Sequence, residues 1–186
     1  GIDSTMLLAT LLAEGKEVRC YAFQYGQKHA VELQKAEANV AFMRSKGLPV
    51  SLQTINLEDV FSDSASSLCK GGDAIPEGSY DDEGMKSTVV ENRNIIFSSI
   101  VYGKALGWAN KTGENVIITL GLHQGDHTIY PDCTVESQTM ARELFRISNW
   151  GSERVDYTAP FNDTDKAGVL SRGLEALRSL GFTAQD

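Results

Sequence analysis

What most constrains this chain is a repeated change of hydrophobic period. Short segments rich in β-branched and aromatic residues alternate with longer segments of helical spacing from one end to the other. The spacing predicts helices over residues 6–14, 30–46, 92–110, 135–148 and 164–180, and strands over 17–23, 50–55, 116–120 and 154–157. Gly15 and Gly47 close the first two helices, and Asp163 or Thr164 is the expected cap of the last. Parallel strands need long crossovers, so helices recurring between strands predict an α/β fold built on a parallel sheet. Ligands of such sheets lie beyond the carboxyl ends of the strands. The segments that follow the strands, 24–29, 56 onward, 121–132 and 158–163, are therefore expected on one rim.

From 57 to 91 the periodicity fails, and serines and glycines make a lid-like insertion, with Asp81, Asp82 and Glu83 read as a solvated face. The 186 residues carry 17 Lys+Arg against 25 Asp+Glu, a net charge of −8, so no global positive field collects nucleic acid or anionic membrane. Any anionic ligand must be held locally. No apolar run approaches the ~20 residues of a membrane span, and the first residues lack a signal-peptide pattern. The expectation is a cytoplasmic protein with no nucleic-acid and no membrane partner. Cys20, Cys69 and Cys133 form no C-x-x-C pair and are expected as reduced thiols, with no metal ligand assigned in the chain. Trp108, Trp150, Phe42, Phe97, Phe145 and Phe161 are expected in the core.

Four segments carry chemistry. Gly1-Ile2-Asp3-Ser4-Thr5 heads the first helix, where small and hydroxyl residues leave backbone N–H groups and the positive helix end available to phosphate. The competing reading is that Ser4 or Asp3 only caps that helix. Tyr25-Gly26-Gln27-Lys28-His29 brings an amide, a cation and an imidazole to a loop directly after a strand. Lys86 through Asn94 places two cations, a hydroxyl and amides at a helix start, suited to clamping phosphate or carboxylate. Gly121 through Cys133 is the densest polar group: Asp126 and Asp132 could hold magnesium or hydrogen-bond a heterocyclic base, and Tyr130 could stack on it. A transition-metal reading of His123, His127 and Cys133 is weaker, because H-x-x-x-H on a loop fixes no geometry. No serine sits in a G-x-S-x-G elbow, which removes the hydrolase triad.

These motifs carry a family likeness. Gly1-Ile2-Asp3-Ser4 resembles the tail of the S-G-G-x-D-S pyrophosphate loop of the N-type ATP pyrophosphatases, the PP-loop superfamily. Tyr25-Gly26-Gln27-Lys28-His29, Met85 to Asn94, Gly125-Asp126-His127-Thr128-Ile129-Tyr130-Pro131-Asp132-Cys133 and Ala159 to Val169 together resemble the 7-cyano-7-deazaguanine synthase family, in order and over nearly the whole chain. The resemblance implies a three-layer α/β sandwich with a parallel five-stranded sheet, of the adenine nucleotide alpha hydrolase type. It implies one PP-loop domain over residues 1–186, with the first strand and a cysteine-rich C-terminal zinc segment outside the chain. The implied activity is that of a ligase of queuosine precursor biosynthesis, which converts 7-carboxy-7-deazaguanine, ammonia and ATP to 7-cyano-7-deazaguanine through an adenylated intermediate.

By the same resemblance the cofactors are ATP with Mg2+, plus structural Zn2+ in that further segment, and the assembly is a homodimer. Asp3, Ser4, Lys86 and Arg93 are implied as catalytic. Gly1, Ile2, Asp3, Ser4, Thr5, Tyr21, Ala22, Phe23, Gln27 and His29 are implied on the ATP side, and Tyr25, Lys86, Asn92, Arg93, Asn94, Asp126, Tyr130 and Asp132 on the deazaguanine side. The chain departs from the pattern twice. Glu91 stands where the family usually has Pro, altering the start of a helix, and Thr134 stands where Arg usually follows the Cys, removing a cation beside the deazaguanine loop. The alternatives are another PP-loop pyrophosphatase that amidates or thiolates a different acceptor, or a non-catalytic adenine-nucleotide sensor. The charge of −8 counts against a tRNA-handling relative.

Overall fold

The computed structural model describes residues 1–28, 31–70, 72, 83–128 and 130–183. Helix α1 (Ile2–Ala13) buries Met6, Leu7, Leu8, Ala9 and Leu12 and stops before Gly15, whose φ of +75° reverses the chain. Strand β1 (Val18–Gln24) follows, then α2 (Val31–Ser45), which presents only Val40 and Met43 fully to the interior, and β2 (Val50–Asn56). Short 3-10 helices at Asp59–Phe61 and Glu83–Thr88 punctuate the irregular insertion. The acidic side chains expected there, Asp81 to Glu83, lie outside the described residues. Helix α3 (Arg93–Thr112) starts one residue later than the spacing predicts, because Asn92 adopts a left-handed conformation with φ +55°. Strand β3 (Val116–Thr119), α4 (Val135–Ser148), β4 (Val155–Thr158) and α5 (Lys166–Ser179) complete the order.

The cap of α5 is neither Asp163 nor Thr164. Asp165 accepts from the Gly168 N–H at 2.9 Å. Asp163 is drawn away by the Arg172 guanidinium, which donates to its two oxygens at 2.9 and 3.0 Å. Arg172 belongs to α5 itself, so the helix's own second turn withdraws one of the three adjacent acceptors.

The strands form two parallel pairs. β1 and β2 run in register from Val18 opposite Val50 to Gln24 opposite Asn56, and β3 and β4 from Val116 opposite Val155 to Thr119 opposite Thr158. Among the described residues β1 pairs only with β2 and β3 only with β4, so the expected continuous five-stranded sheet is not what they form. Between the pairs lies a trough of about 1530 Å3, walled by β1 and β3 and floored by apolar residues of α1 and α3 such as Leu8, Leu11, Phe97 and Val101.

The core is correspondingly divided. Leu8, Leu12, Val40, Met43 and Val50 cluster on one flank, and Tyr102, Ala105, Ile118, Ala141, Phe145 and Tyr157 on the other. Met6, Leu7, Phe161 and Val169 join α1 to α5, where a Cβ at Gly173 would collide with Met6. Phe145 and Phe161 are buried as expected. Trp150 is not: it is 97% exposed in the turn after α4, which offers it no facing layer. Phe42 is 36% exposed beside Phe182, and Trp108 is half-buried under the Arg19 guanidinium, 3.5 Å from its ring centre.

Candidate active site

The carboxyl end of β3 meets the first turn of α1. A Cβ at Gly121 would lie 3.2 Å from the Ser4 nitrogen, so any larger residue would push the loop and that helix end a few tenths of an ångström apart. No side chain caps α1. The Ser4 and Thr5 hydroxyls turn back instead, donating to the Gly1 carbonyl at 3.1 and 2.9 Å. The capping role for Ser4 or Asp3 is therefore absent, and the first-turn N–H groups are left for something else.

Asp3 stands in this opening. Its Oδ2 accepts from Lys166 Nζ at 3.2 Å, while its buried Oδ1 has no hydrogen-bond partner. His123 Nε2 lies 4.0 Å from Asp3 Oδ1 and 3.9 Å from Asp126 Oδ1. The His123 ring is buried and its Nδ1 accepts from the Gly125 N–H at 3.0 Å, so a neutral ring carries its proton on Nε2, toward the two carboxylates. Asp126 Oδ2 accepts in turn from the His123 N–H at 3.1 Å.

The opposite wall comes from β1 and α3. Phe23 stacks on Phe97 with ring centres 3.9 Å apart, and Tyr21, Ala22 and Phe23 all line the trough. Arg93 Nη1 donates to the Tyr25 hydroxyl at 3.3 Å. Burial raises the Tyr25 pKa above its ordinary value, with the Arg93 charge working against that rise. Gln27 is consumed by its own loop: Oε1 accepts from the Tyr25 N–H at 2.8 Å and Nε2 donates to the Phe23 carbonyl at 3.0 Å.

Asp132 reaches the start of α3 from the loop before α4. Its Oδ2 accepts from the Asn94 N–H at 3.2 Å and its Oδ1 from Asn94 Nδ2 at 3.3 Å, so a residue distant in sequence caps the helix. Asn94 Nδ2 also lies 3.2 Å from Cys133 Sγ. Burial, reinforced by Asp132 and Asp126, pushes the Cys133 thiol up to about 12. Tyr130 and buried Thr88 share a hydroxyl hydrogen bond of 2.9 Å.

One cavity thus gathers Gly1, Asp3, Ser4, Thr5, Tyr21, Ala22, Phe23, Tyr25, Gln27, Arg93 and Asn94. Asp126 and Asp132 do not line it: Asp126 lies 3.9 Å from His123 Nε2, itself 4.0 Å from Asp3, and Asp132 holds Asn94 from behind. Ile2, Lys86, Asn92 and Tyr130 do not line it, and Ile2, Lys86 and Asn92 are exposed. His29 lies outside the described residues, as does the His127 side chain. Two participants were not assigned from sequence: Lys166, which is 163 positions from Asp3 and so beyond any spacing rule, and His123, visible only as one member of a polar loop.

The two departures from the family pattern have local explanations. Glu91 accepts from the Ser64 hydroxyl at 2.6 Å, tying the insertion to the start of α3. Thr134 caps α4, accepting from the Ser137 N–H at 3.2 Å. Among the described residues no three His, Cys, Asp or Glu side chains gather to hold a metal ion. No described helix is long and apolar enough to cross a membrane.

Parallel strand pairs with helices between them define an α/β protein, the class whose ligands lie beyond the carboxyl ends of the strands. Comparison with known proteins narrows the class. The chain belongs to the family described as queuosine biosynthesis protein QueC, whose model matches residues 1–183. The 7-cyano-7-deazaguanine synthase of Marinobacter nauticus is 39% identical over 94% of this chain and 74% of its own length. Those of a Marinomonas species and of Caldicellulosiruptor bescii are 36% and 37% identical over the same shares of each chain. The protein is therefore an enzyme of queuosine biosynthesis.

Proposed function

We propose that the protein is an ATP-dependent carbon–nitrogen ligase that converts 7-carboxy-7-deazaguanine and ammonia to 7-cyano-7-deazaguanine. The observation that carries the reading is the uncapped start of α1 beside Asp3, whose buried Oδ1 lacks a partner while Lys166 holds Oδ2. A negatively charged protein offers here a local place for a polyanion and its counter-cation. The first-turn N–H groups of α1, Ser4 and Lys166 would face the phosphates, with Tyr21, Ala22 and Phe23 along the adenosine. Asp3 and Asp126 fit magnesium, a hard cation that takes oxygen ligands and neutralises phosphate charge when bound.

A carboxylate is a poor electrophile. Transfer of adenylate to its oxygen, with departure of pyrophosphate, turns that oxygen into a leaving group. Ammonia then displaces it to give the amide, and a second activation of the amide oxygen removes the elements of water to leave the nitrile. The protein's share is positioning and charge neutralisation. Arg93 offsets charge on the acid and is held by Tyr25; Lys86 serves the same end from the insertion. Asn92, Asn94, Tyr130 and Asp132 present polar groups to the deazaguanine.

The trough supports the finer fold. Two parallel strand pairs on either side of one trough, with α1 and α3 beneath it, support the family's five-stranded, three-layer sandwich, one PP-loop domain over residues 1–186. Family likeness further supports a cytoplasmic homodimer with structural zinc.

The test is release of pyrophosphate or phosphate from ATP. It should require both the carboxylated deazaguanine and ammonium; release indifferent to that acid would overturn the reading and favour another acceptor.

A further inference from the structure

Three polar side chains are buried inside the core cluster of Tyr102, Ile118 and Phe145: Ser98 of α3, Gln138 of α4 and Tyr157 of β4, exposed by only 4%, 6% and 3%. Burying such groups costs free energy unless each finds a partner. They find one another. The Tyr157 hydroxyl donates to Gln138 Oε1 at 2.6 Å and lies 2.8 Å from Ser98 Oγ. A phenol has one hydrogen, so Ser98 must be the donor to Tyr157, and the chain of bonds runs one way, from Ser98 to Tyr157 to Gln138. Its remaining end is the Gln138 amide, and Nε2 donates to the backbone carbonyl of Asp132.

We propose that Gln138, held from behind by Tyr157 and Ser98, is a positioning residue that sets where the Asp132 carboxylate stands. The inference rests on the reading in which Asp132 faces the deazaguanine. Two supports converge on that residue: Asn94 holds the carboxylate and Gln138 holds the carbonyl. Asn94 and Ser98 are one helical turn apart on the same face of α3, so one helix anchors both. The N–H of the peptide that follows Asp132 donates to the Tyr130 carbonyl at 2.9 Å, so without the Gln138 amide that peptide keeps one of its two holds, and the turn that carries the carboxylate loosens. The same peptide leads into Cys133, which is 2% exposed and reports any loosening of the turn.

The experiment compares Gln138→Leu, Gln138→Glu and Tyr157→Phe in the full chain by two measurements. One is the KM for 7-carboxy-7-deazaguanine beside that for ATP. The other is the rate of Cys133 alkylation by iodoacetamide, mapped by mass spectrometry, with buried Cys69 as internal reference. Gln138→Leu and Gln138→Glu should each raise the acid KM about tenfold, the scale of one lost buried hydrogen bond, with the ATP KM unchanged. The glutamate keeps the size but sets an acceptor against the carbonyl, so a shape-only role predicts that it behaves as wild type. Tyr157→Phe, which keeps the ring in the core, should give a smaller rise of the same kind.

Cys133 alkylation should quicken about tenfold in both Gln138 variants while Cys69 stays unchanged. Unchanged Cys133 protection overturns the proposal whatever the kinetics. A loosened Cys133 with an unaltered acid KM, or equal rises in both KM values, overturns the positioning role. A wild-type protein with no acid-dependent turnover sinks the function, and the alkylation arm then still decides whether Gln138 holds this turn.

Discussion

Two aspartates on opposite walls of the same rim are treated in opposite ways. Asp3 keeps a buried oxygen without a partner, and its neighbours, Lys166 at 3.2 Å and His123 at 4.0 Å, come from other elements. Asp132 has every oxygen in use: both carboxylate oxygens on Asn94 and the carbonyl on Gln138. An unmet buried acceptor costs roughly 1–3 kcal/mol, and such a cost persists where a ligand supplies the missing partner. A fully met one stiffens its surroundings. The comparison teaches that one wall is built to receive and the other to hold still.

The largest expected effect tests the receiving wall. Asp3→Ala should lower acid-dependent ATP turnover about 10²- to 10³-fold, the usual scale for removing one preorganised electrostatic group. Its urea midpoint should stay level or rise, because an unsatisfied oxygen leaves with it. A stability loss with turnover intact would reverse the two roles. Next, Asp132→Ala uncaps α3 and strands the Asn94 amide, so denaturant unfolding should show a loss of about 1–3 kcal/mol. The acid KM should rise as well, while ATP affinity, read by direct titration, stays nearly intact. Equal loss of ATP affinity would place Asp132 on the nucleotide side.

Thr134→Ala sharpens the holding wall further. It removes the cap of α4 just behind Asp132 and should cost about 1 kcal/mol with no change in ATP KM. The smallest effect is a pH dependence. The Ser64 hydroxyl holds the Glu91 carboxyl below its ordinary 4.5, so the folded state binds that proton less readily than the unfolded chain. The added stability is present above the unfolded pKa and disappears as pH falls through the lower folded value. Ser64→Ala should therefore lower the melting temperature at pH 7 slightly and match wild type in strong acid. A gap that persists in acid would assign the contact to something other than the carboxylate.

Much of the fold was legible. The helices and strands fall within a few residues of the predicted spans because hydrophobic period is a local property that the folded layers only have to accept. Errors arise where several residues could serve and another side chain chooses among them. Asp163, Thr164 and Asp165 could each have capped α5, and Arg172 removed the first by pairing with it. Trp150 has the composition of a core residue, yet it sits in a turn with nothing opposite. Within the site, the cluster at Gly1 to Thr5 and the Gly121 to Cys133 loop were readable from residue type. Lys166 on Asp3 was not, and neither were Gln138 and Ser98, which read as ordinary polar positions on helix faces.

By itself the chain determined its alternating elements and the order in which polar loops arrive at one rim, since both follow from near-neighbour patterns of apolar and polar residues. It also carried the motif segments by which its family is known. Only the tertiary structure decided which of two identical carboxylates stays open and which is spent on scaffolding. That outcome depends on how many donors from remote elements come within about 3 Å, a matter of packing that no local pattern encodes.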